Sequence, residues 1–377
     1  MKRLDFLYFD AGGGHRSAAN ALKLSVAQSG RPWEIRLVNL QEVLDPLDIF
    51  RKYFGLRLQD VYNLLLKKGW TLGSAQLLWL MHQLIRLYHP RQVGILERFW
   101  RGRDSDLVLS LVPNFDRALA ESLRKALPGV PFATVLTDIA DYPPHFWIER
   151  ESDYLICGSA RAVEQARALG HPDEHIFRAS GMILHPRYYE PVTEDREQGR
   201  RALNLDAALP TCLVMFGGEG NSVMVEIAER LDRSELELQL ILICGHNRKL
   251  QDRLRARRFR KLCFVEGFTA EIPRYMHLSD FFVGKPGPGS ISEALAMNLP
   301  VIVERNAWTL PQERYNADWL LEQGAGLVLP NFRGIVEAVR ELLAPANFER
   351  YRSRAAAIQN RAVFEIPDFL EQILARR

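Results

Sequence analysis

Short apolar runs alternate with helix-length segments from one end of this chain to the other. Residues 4–9 (LDFLYF) lead into a glycine turn and then a helical stretch over 15–28. Residues 34–40 alternate as a strand does, and 107–112, 132–136 and 154–157 continue the series. After about Gly199 the pattern restarts with 212–216, 238–244, 262–265, 281–283 and 301–303, each followed by a helical stretch. Strand-then-helix repetition builds parallel sheets covered by helices. Two such series predict two doubly wound α/β domains, and 377 residues suit two cores better than one.

The break between the series falls in the charged, Pro-containing, aperiodic segment from His185 to Gly199. The expected domains are 1–185 and 200–365. Residues 366–377 read as a helix after Pro367 that packs back on the first domain. With 47% hydrophobic and 25% charged residues the composition excludes a disordered or collagen-like chain. Cys157, Cys212, Cys244 and Cys263 form no Cys-x-x-Cys pair and lie in or beside strand-like runs. They read as buried free thiols in a reducing compartment. The N-terminal apolar stretch is too short for a signal peptide, and the longest stretch free of Lys, Arg, Asp and Glu, 69–85, is too polar to span a bilayer. A cytoplasmic protein is expected.

The net charge of +3 gives no ground for nucleic-acid binding, but charge is concentrated locally. Residues 51–103 carry ten basic side chains against Asp60 and Glu97, a local charge of +8. Lys67, Lys68, Trp70, Trp79 and Arg86 stand among long apolar residues there. A basic, tryptophan-bearing helical insertion suits the headgroup region of an anionic membrane; the plainer alternative is a helical insertion with a solvated basic face.

Ligands of open α/β sheets bind beyond the carboxyl ends of the strands, and three turns there are unusual. Gly12-Gly13-Gly14-His15-Arg16-Ser17 follows the first strand. Its glycines admit a ligand to the backbone, the helix start offers free N–H groups, and a neutral His15 can act as a base. The alternative is a tight turn with a capping histidine. It is neither a Gly-x-Gly-x-x-Gly fingerprint nor a P-loop. Phe216-Gly217-Gly218-Glu219-Gly220 holds the same place in the second domain. Gly284-Lys285-Pro286-Gly287-Pro288-Gly289-Ser290 forms an amide nest before a helix, with Glu293 about one turn in. Glu293 suits a ribose diol, or else simply the helix dipole. Gln312, Glu313 and Asn316 are expected on one face of a helix opening after Pro311, where they suit sugar hydroxyls.

On these residues the chain resembles the monogalactosyldiacylglycerol synthase family and, more distantly, the N-acetylglucosaminyltransferase that forms lipid II. The match comprises Gly12 to Ala19, Thr134 to Asp138 with His145 and Trp147, Gly217 to Gly220, Glu266-Gly267-Phe268, Gly287 to Leu295, and Pro311-Gln312-Glu313 with Asn316. The resemblance implies the GT-B fold, two Rossmann-like domains facing a central cleft. It implies inverting transfer of a hexose from a UDP-sugar to a membrane lipid, most naturally diacylglycerol. His15 or Asp138 would then be the base. Gly14, Gly217, Gly218, Gly287, Gly289 and Ser290 would serve the donor, Phe268 the uracil, Glu293 the ribose, and Gln312, Glu313 and Asn316 the hexose. Lys67, Lys68, Trp70, Trp79, Arg86 and His145 would face acceptor and membrane, at the inner surface. No cofactor or metal is called for, and Asp104-Ser105-Asp106 reads as a surface turn. The competing functions are transfer to an isoprenoid-linked or other lipid, epimerisation of a UDP-N-acetylhexosamine, and a nucleotide-sugar or lipid-binding protein without turnover.

Overall fold

The computed structural model describes residues 1–10, 13–47, 82–83, 85–142 and 145–376. They form two compact units. The first comprises Met1–Pro186, Leu310–Gln312 and Asn360–Arg377; the second comprises Arg187–Thr309 and Glu313–Gln359.

In the first unit β1 (Lys2–Tyr8), β2 (Trp33–Asn39), β3 (Leu107–Ser110), β4 (Phe132–Val135), β5 (Tyr154–Cys157) and β6 (Ile176–Arg178) form one parallel sheet. Its order is β2-β1-β3-β4-β5-β6. Strands covered on both faces must be apolar throughout, and β3 and β4 are buried at every position. Leu7, Leu96, Trp100, Leu119 and Phe132 pack in one core.

The second unit repeats the plan with β7 (Thr211–Met215), β8 (Gln239–Ile243), β9 (Cys263–Glu266), β10 (Phe281–Gly284), β11 (Val301–Glu304) and β12 (Gly326–Leu329). The order is β12-β11-β10-β7-β8-β9, again parallel. Each sheet has the doubly wound parallel plan expected from the sequence.

The chain returns to the first unit in the helix Ala362–Ala375. A start after Pro367 is not what forms: Pro367 lies buried inside this helix. The buried stripe Val363, Ile366, Leu370 and Ile373 gains more than the missing N–H costs. Phe369 stacks on Phe177, and Glu365 accepts the Ser180 N–H at 2.7 Å.

Of the basic region, Lys67, Lys68, Trp70 and Trp79 lie outside the described residues. Its final part is the helix His89–Arg101, which buries Val93, Leu96 and Trp100 against the helix Asp116–Ala126. Arg103 is not a surface cation for a membrane. Its guanidinium pairs at 2.6 Å with Asp5, a fully buried carboxylate that Arg36 also grips. Asp104 and Asp106 pair with Lys2, Arg3 and Arg36 at the same edge. Arg86 is exposed. No helix among the described residues is long and apolar enough to cross a membrane.

Candidate active site

In the first unit the winding reverses between β1 and β3, so the loops after these strands flank the switch point. His15 stands there, in the opening turn of the helix Gly14–Gln28, whose N-cap Gly13 takes a left-handed φ of 78°. That conformation is what the glycine run supplies. No side chain caps this helix start and its first turn holds no acidic residue.

His15 Nδ1 lies 3.0 Å from Thr137 Oγ1, beyond β4, and the ring also hydrogen-bonds the Leu111 backbone beyond β3. Burial pushes the imidazole pKa down to about 4, and the Leu111 bond only partly opposes this. His15 is therefore neutral at pH 7 and its ring can accept a proton. Asp138 follows Thr137 and is buried. Its Oδ2 accepts the indole N–H of Trp147 at 2.8 Å, and the Trp147 ring lies 5.6 Å from that of His15. Thr137 and Trp147 thus bring both candidate bases to one place. His145 is exposed, with a left-handed φ of 50°, two residues before Trp147.

In the second unit the reversal falls between β7 and β10. The turns after these strands are the two glycine motifs, and the Lys285 side chain lies close to both. Its Cε would lie 3.6 Å from a Cβ at Gly217 and 3.2 Å from one at Gly287. Its ammonium pairs with Glu313 at 2.9 Å. Gly289 and Ser290 open the helix Pro288–Ala296, which has Gly287 as N-cap and no side-chain cap. Free amides at such a start favour an anion. Glu293 lies further along this helix, hydrogen-bonded by Tyr188. Burial pushes its pKa up to about 7, against the pull of Tyr188 and Arg187.

Two expectations for the sugar end change. Gln312 and Glu313 belong to the 3-10 turn Pro311–Glu313 that precedes the helix Arg314–Gln323, so they do not share a helical face with Asn316. Asn316 is fully buried and donates to the Pro286 carbonyl at 2.8 Å. It supports the β10 loop, and its Oδ1 is buried without a hydrogen-bond partner.

Phe268, 63% exposed, stacks on His246 with ring centroids 3.8 Å apart and planes 14° from parallel. His246 and Gly245 were not singled out by sequence reasoning. The His246 N–H donates to Gly218 O at 2.7 Å, which seats the turn after β8 directly on the turn after β7. The signal was a glycine ending the apolar run 238–244. Tyr188, in the aperiodic segment, carried none.

Residues 211–373 match the Glycosyltransferase family 28 C-terminal domain. The whole chain is 26% identical to monogalactosyldiacylglycerol synthase 1 of Arabidopsis thaliana and 28% identical to the spinach (Spinacia oleracea) enzyme, covering 72% and 73% of those proteins. Among solved structures, Acinetobacter baumannii MurG superposes with a TM-score of 0.61 at 13% identity, over 99% of this chain and all of that one. The UDP complex of MnaA from S. aureus gives 0.64 at 16%, over all of this chain and 97% of that one. The chain is a glycosyltransferase of the GT-B architecture, similar along its whole length to the monogalactosyldiacylglycerol synthases.

Proposed function

We propose that the protein transfers a hexose from a UDP-sugar to the hydroxyl of diacylglycerol at the inner face of a membrane, with inversion at the anomeric carbon. The observation that carries this reading is the gathering of His15 and Asp138 around Trp147 beside the switch point of the first unit. An alcohol acceptor needs a proton acceptor held in place; burial keeps the His15 ring unprotonated while lowering its basicity, and the bonds to Thr137 and the Leu111 backbone fix its orientation. The whole-length similarity to enzymes named for diacylglycerol supports the acceptor.

In this mechanism the donor diphosphate rests on the turns after β7 and β10, with the Lys285 ammonium beside it. Glu293 takes the ribose diol and Phe268 the uracil face. His15, or Asp138 in its place, removes the acceptor proton as the oxygen attacks the anomeric carbon opposite UDP. The bond from that carbon to the diphosphate oxygen breaks, and the negative charge leaves with UDP. Backbone amides, the helix start at Gly287 and Lys285 stabilise that charge, so the scheme calls on no divalent metal. The basic region 51–103, with Arg86 and His145, presents the lipid.

The test is mass spectrometry of lipids after incubation with diacylglycerol in anionic liposomes and a mixture of UDP-glucose, UDP-galactose and UDP-N-acetylglucosamine. A hexosyl-diacylglycerol product is expected. A product only on an isoprenoid-linked lipid would move the acceptor. An altered sugar nucleotide with no lipid product would make the protein an epimerase, and binding without turnover a non-enzyme.

A further inference from the structure

Asp141 lies three residues beyond Asp138, in the loop between β4 and β5, and its carboxylate turns back on that loop. It accepts the Trp147 backbone N–H at 2.6 Å, and backbone N–H groups of Phe146, Ile148 and Tyr142 also favour its charged form. The Asp141 backbone is held separately. Gln165, from the helix Ala160–Leu169, accepts the Asp141 N–H at 2.9 Å and donates to its carbonyl at 3.0 Å. On the other side the Asn114 N–H reaches Phe146 O at 2.7 Å.

What this loop carries is Trp147, whose side chain is fully buried. Its indole N–H is the 2.8 Å donor to Asp138, and its ring lies against His15. Partial burial pushes the Asp141 carboxyl up to about 6, and the converging amides oppose this only in part while tying the carboxylate to its loop. Those amides belong to the residues that seat Trp147.

The geometry points to Asp141 as a positioning residue for glycosyl transfer: by gathering the amides of its own loop it seats the Trp147 indole, which aims Asp138 and borders His15. This rests on the reading of His15 and Asp138 as the candidate bases. Asp141 itself touches no reacting atom, and its effect passes through Trp147. Displacing a reacting group by about 1 Å can cost on the order of 100-fold in rate.

The test uses the full chain with Asp141→Ala, Asp141→Asn, Trp147→Phe, the Asp141→Ala/Trp147→Phe double variant and, in parallel, His15→Ala. Three readouts are taken: kcat and donor KM for transfer, UDP affinity by calorimetry, and the indole N–H spectrum of protein labelled with 15N-tryptophan. The Trp147 resonance is identified by its loss in Trp147→Phe. Asp141→Ala is expected to lower kcat by roughly 10–100-fold. UDP affinity should hold within about twofold, because the donor turns lie in the other unit. The Trp147 indole signal should shift and exchange faster with solvent. Asp141→Asn, which keeps an acceptor, should recover part of both effects. The double variant should be no slower than Trp147→Phe alone, since both act through one indole.

A wild-type kcat in Asp141→Ala, an unmoved indole signal, parallel loss of UDP binding, or multiplying losses in the double variant would each overturn the assignment. If Asp141→Ala does not fold, Asp141→Asn carries the same comparisons. Unimpaired turnover in His15→Ala would remove His15 as the base, while the indole signal still decides whether Asp141 seats Trp147.

Discussion

The Lys285 ammonium lies 2.9 Å from Glu313 Oε1, with its stem passing over Gly217 and Gly287. In the proposed scheme a diphosphate at the two glycine turns would compete with Glu313 for this ammonium and free the carboxylate for hexose hydroxyls. Lys285→Met should weaken UDP binding by about tenfold, the scale of one charge-assisted hydrogen bond. Glu313→Gln should keep UDP binding and lose turnover. Calorimetry with UDP beside initial rates separates the two, and equal loss of UDP affinity in both variants would refute the exchange.

Charge on the leaving diphosphate is met in this scheme by amides and an ammonium. Excess EDTA should therefore leave the initial rate within about twofold of its untreated value. A rate that collapses with chelator and returns with magnesium or manganese would show that the turns after β7 and β10 are insufficient alone.

Glu293 has its carboxyl pushed up to about 7 by burial. A ribose diol donates hydrogen bonds most strongly to the ionised form, so UDP affinity should rise as pH increases through about 7. Glu293→Gln should bind more weakly and lose that dependence. A wild-type affinity flat between pH 6 and 8 would place the ribose elsewhere.

The sequence disclosed the strands that are buried on both faces, because a continuous apolar run bounded by turns is hard to mistake. It missed β6 (Ile176–Arg178) and β12 (Gly326–Leu329), two of the four edge strands, although the edge strands β2 and β9 were read. An edge strand has one neighbour and partly exposed side chains, which weakens the apolar signal. The glycine turns were legible because they follow strands, and strand order then placed two of them on either side of one switch point. The shared helical face of Gln312, Glu313 and Asn316 did not form because a 3-10 turn precedes the helix, and the burial of Asn316 with its Pro286 bond depends on tertiary packing. Asp141, Tyr188 and His246 were invisible as site residues for the same reason: their roles come from partners distant in sequence or from a loop folded on itself.

Gly245 tests the packing of the donor turns. Its φ is 59°, and a Cβ there would overlap the Gly218 carbonyl. Gly245→Ala must strain the backbone or lift the β8 turn from the β7 turn, costing roughly 1–3 kcal/mol and weakening UDP binding together. Gly289 opens a helix with free space around it, so Gly289→Ala should leave the melting temperature nearly unchanged. Equal melting temperatures for the two variants would mean that the turns do not rest on each other.

His15 and Glu293 tilt stability with pH in opposite directions, each within its own unit. His15 has a folded pKa near 4 against the usual 6.5, so the unfolded chain binds the extra proton between these values. Its contribution is therefore lost as pH falls from 6.5 to 4. Glu293 has a folded pKa near 7 against the usual 4.5, so here the folded chain holds the extra proton. Its contribution is present below 4.5 and lost as pH rises to 7. Both side chains are partly exposed, and solvent screening reduces each tilt to about 1–2 kcal/mol. Between pH 4.5 and 7, His15→Gln should flatten the rise of the first unit's unfolding free energy, and Glu293→Gln should steepen that of the second. Denaturant titrations at several pH values measure both slopes. A His15→Gln slope equal to wild type would mean that burial does not depress the His15 pKa, and the desolvated setting inferred for that ring would fall with that result.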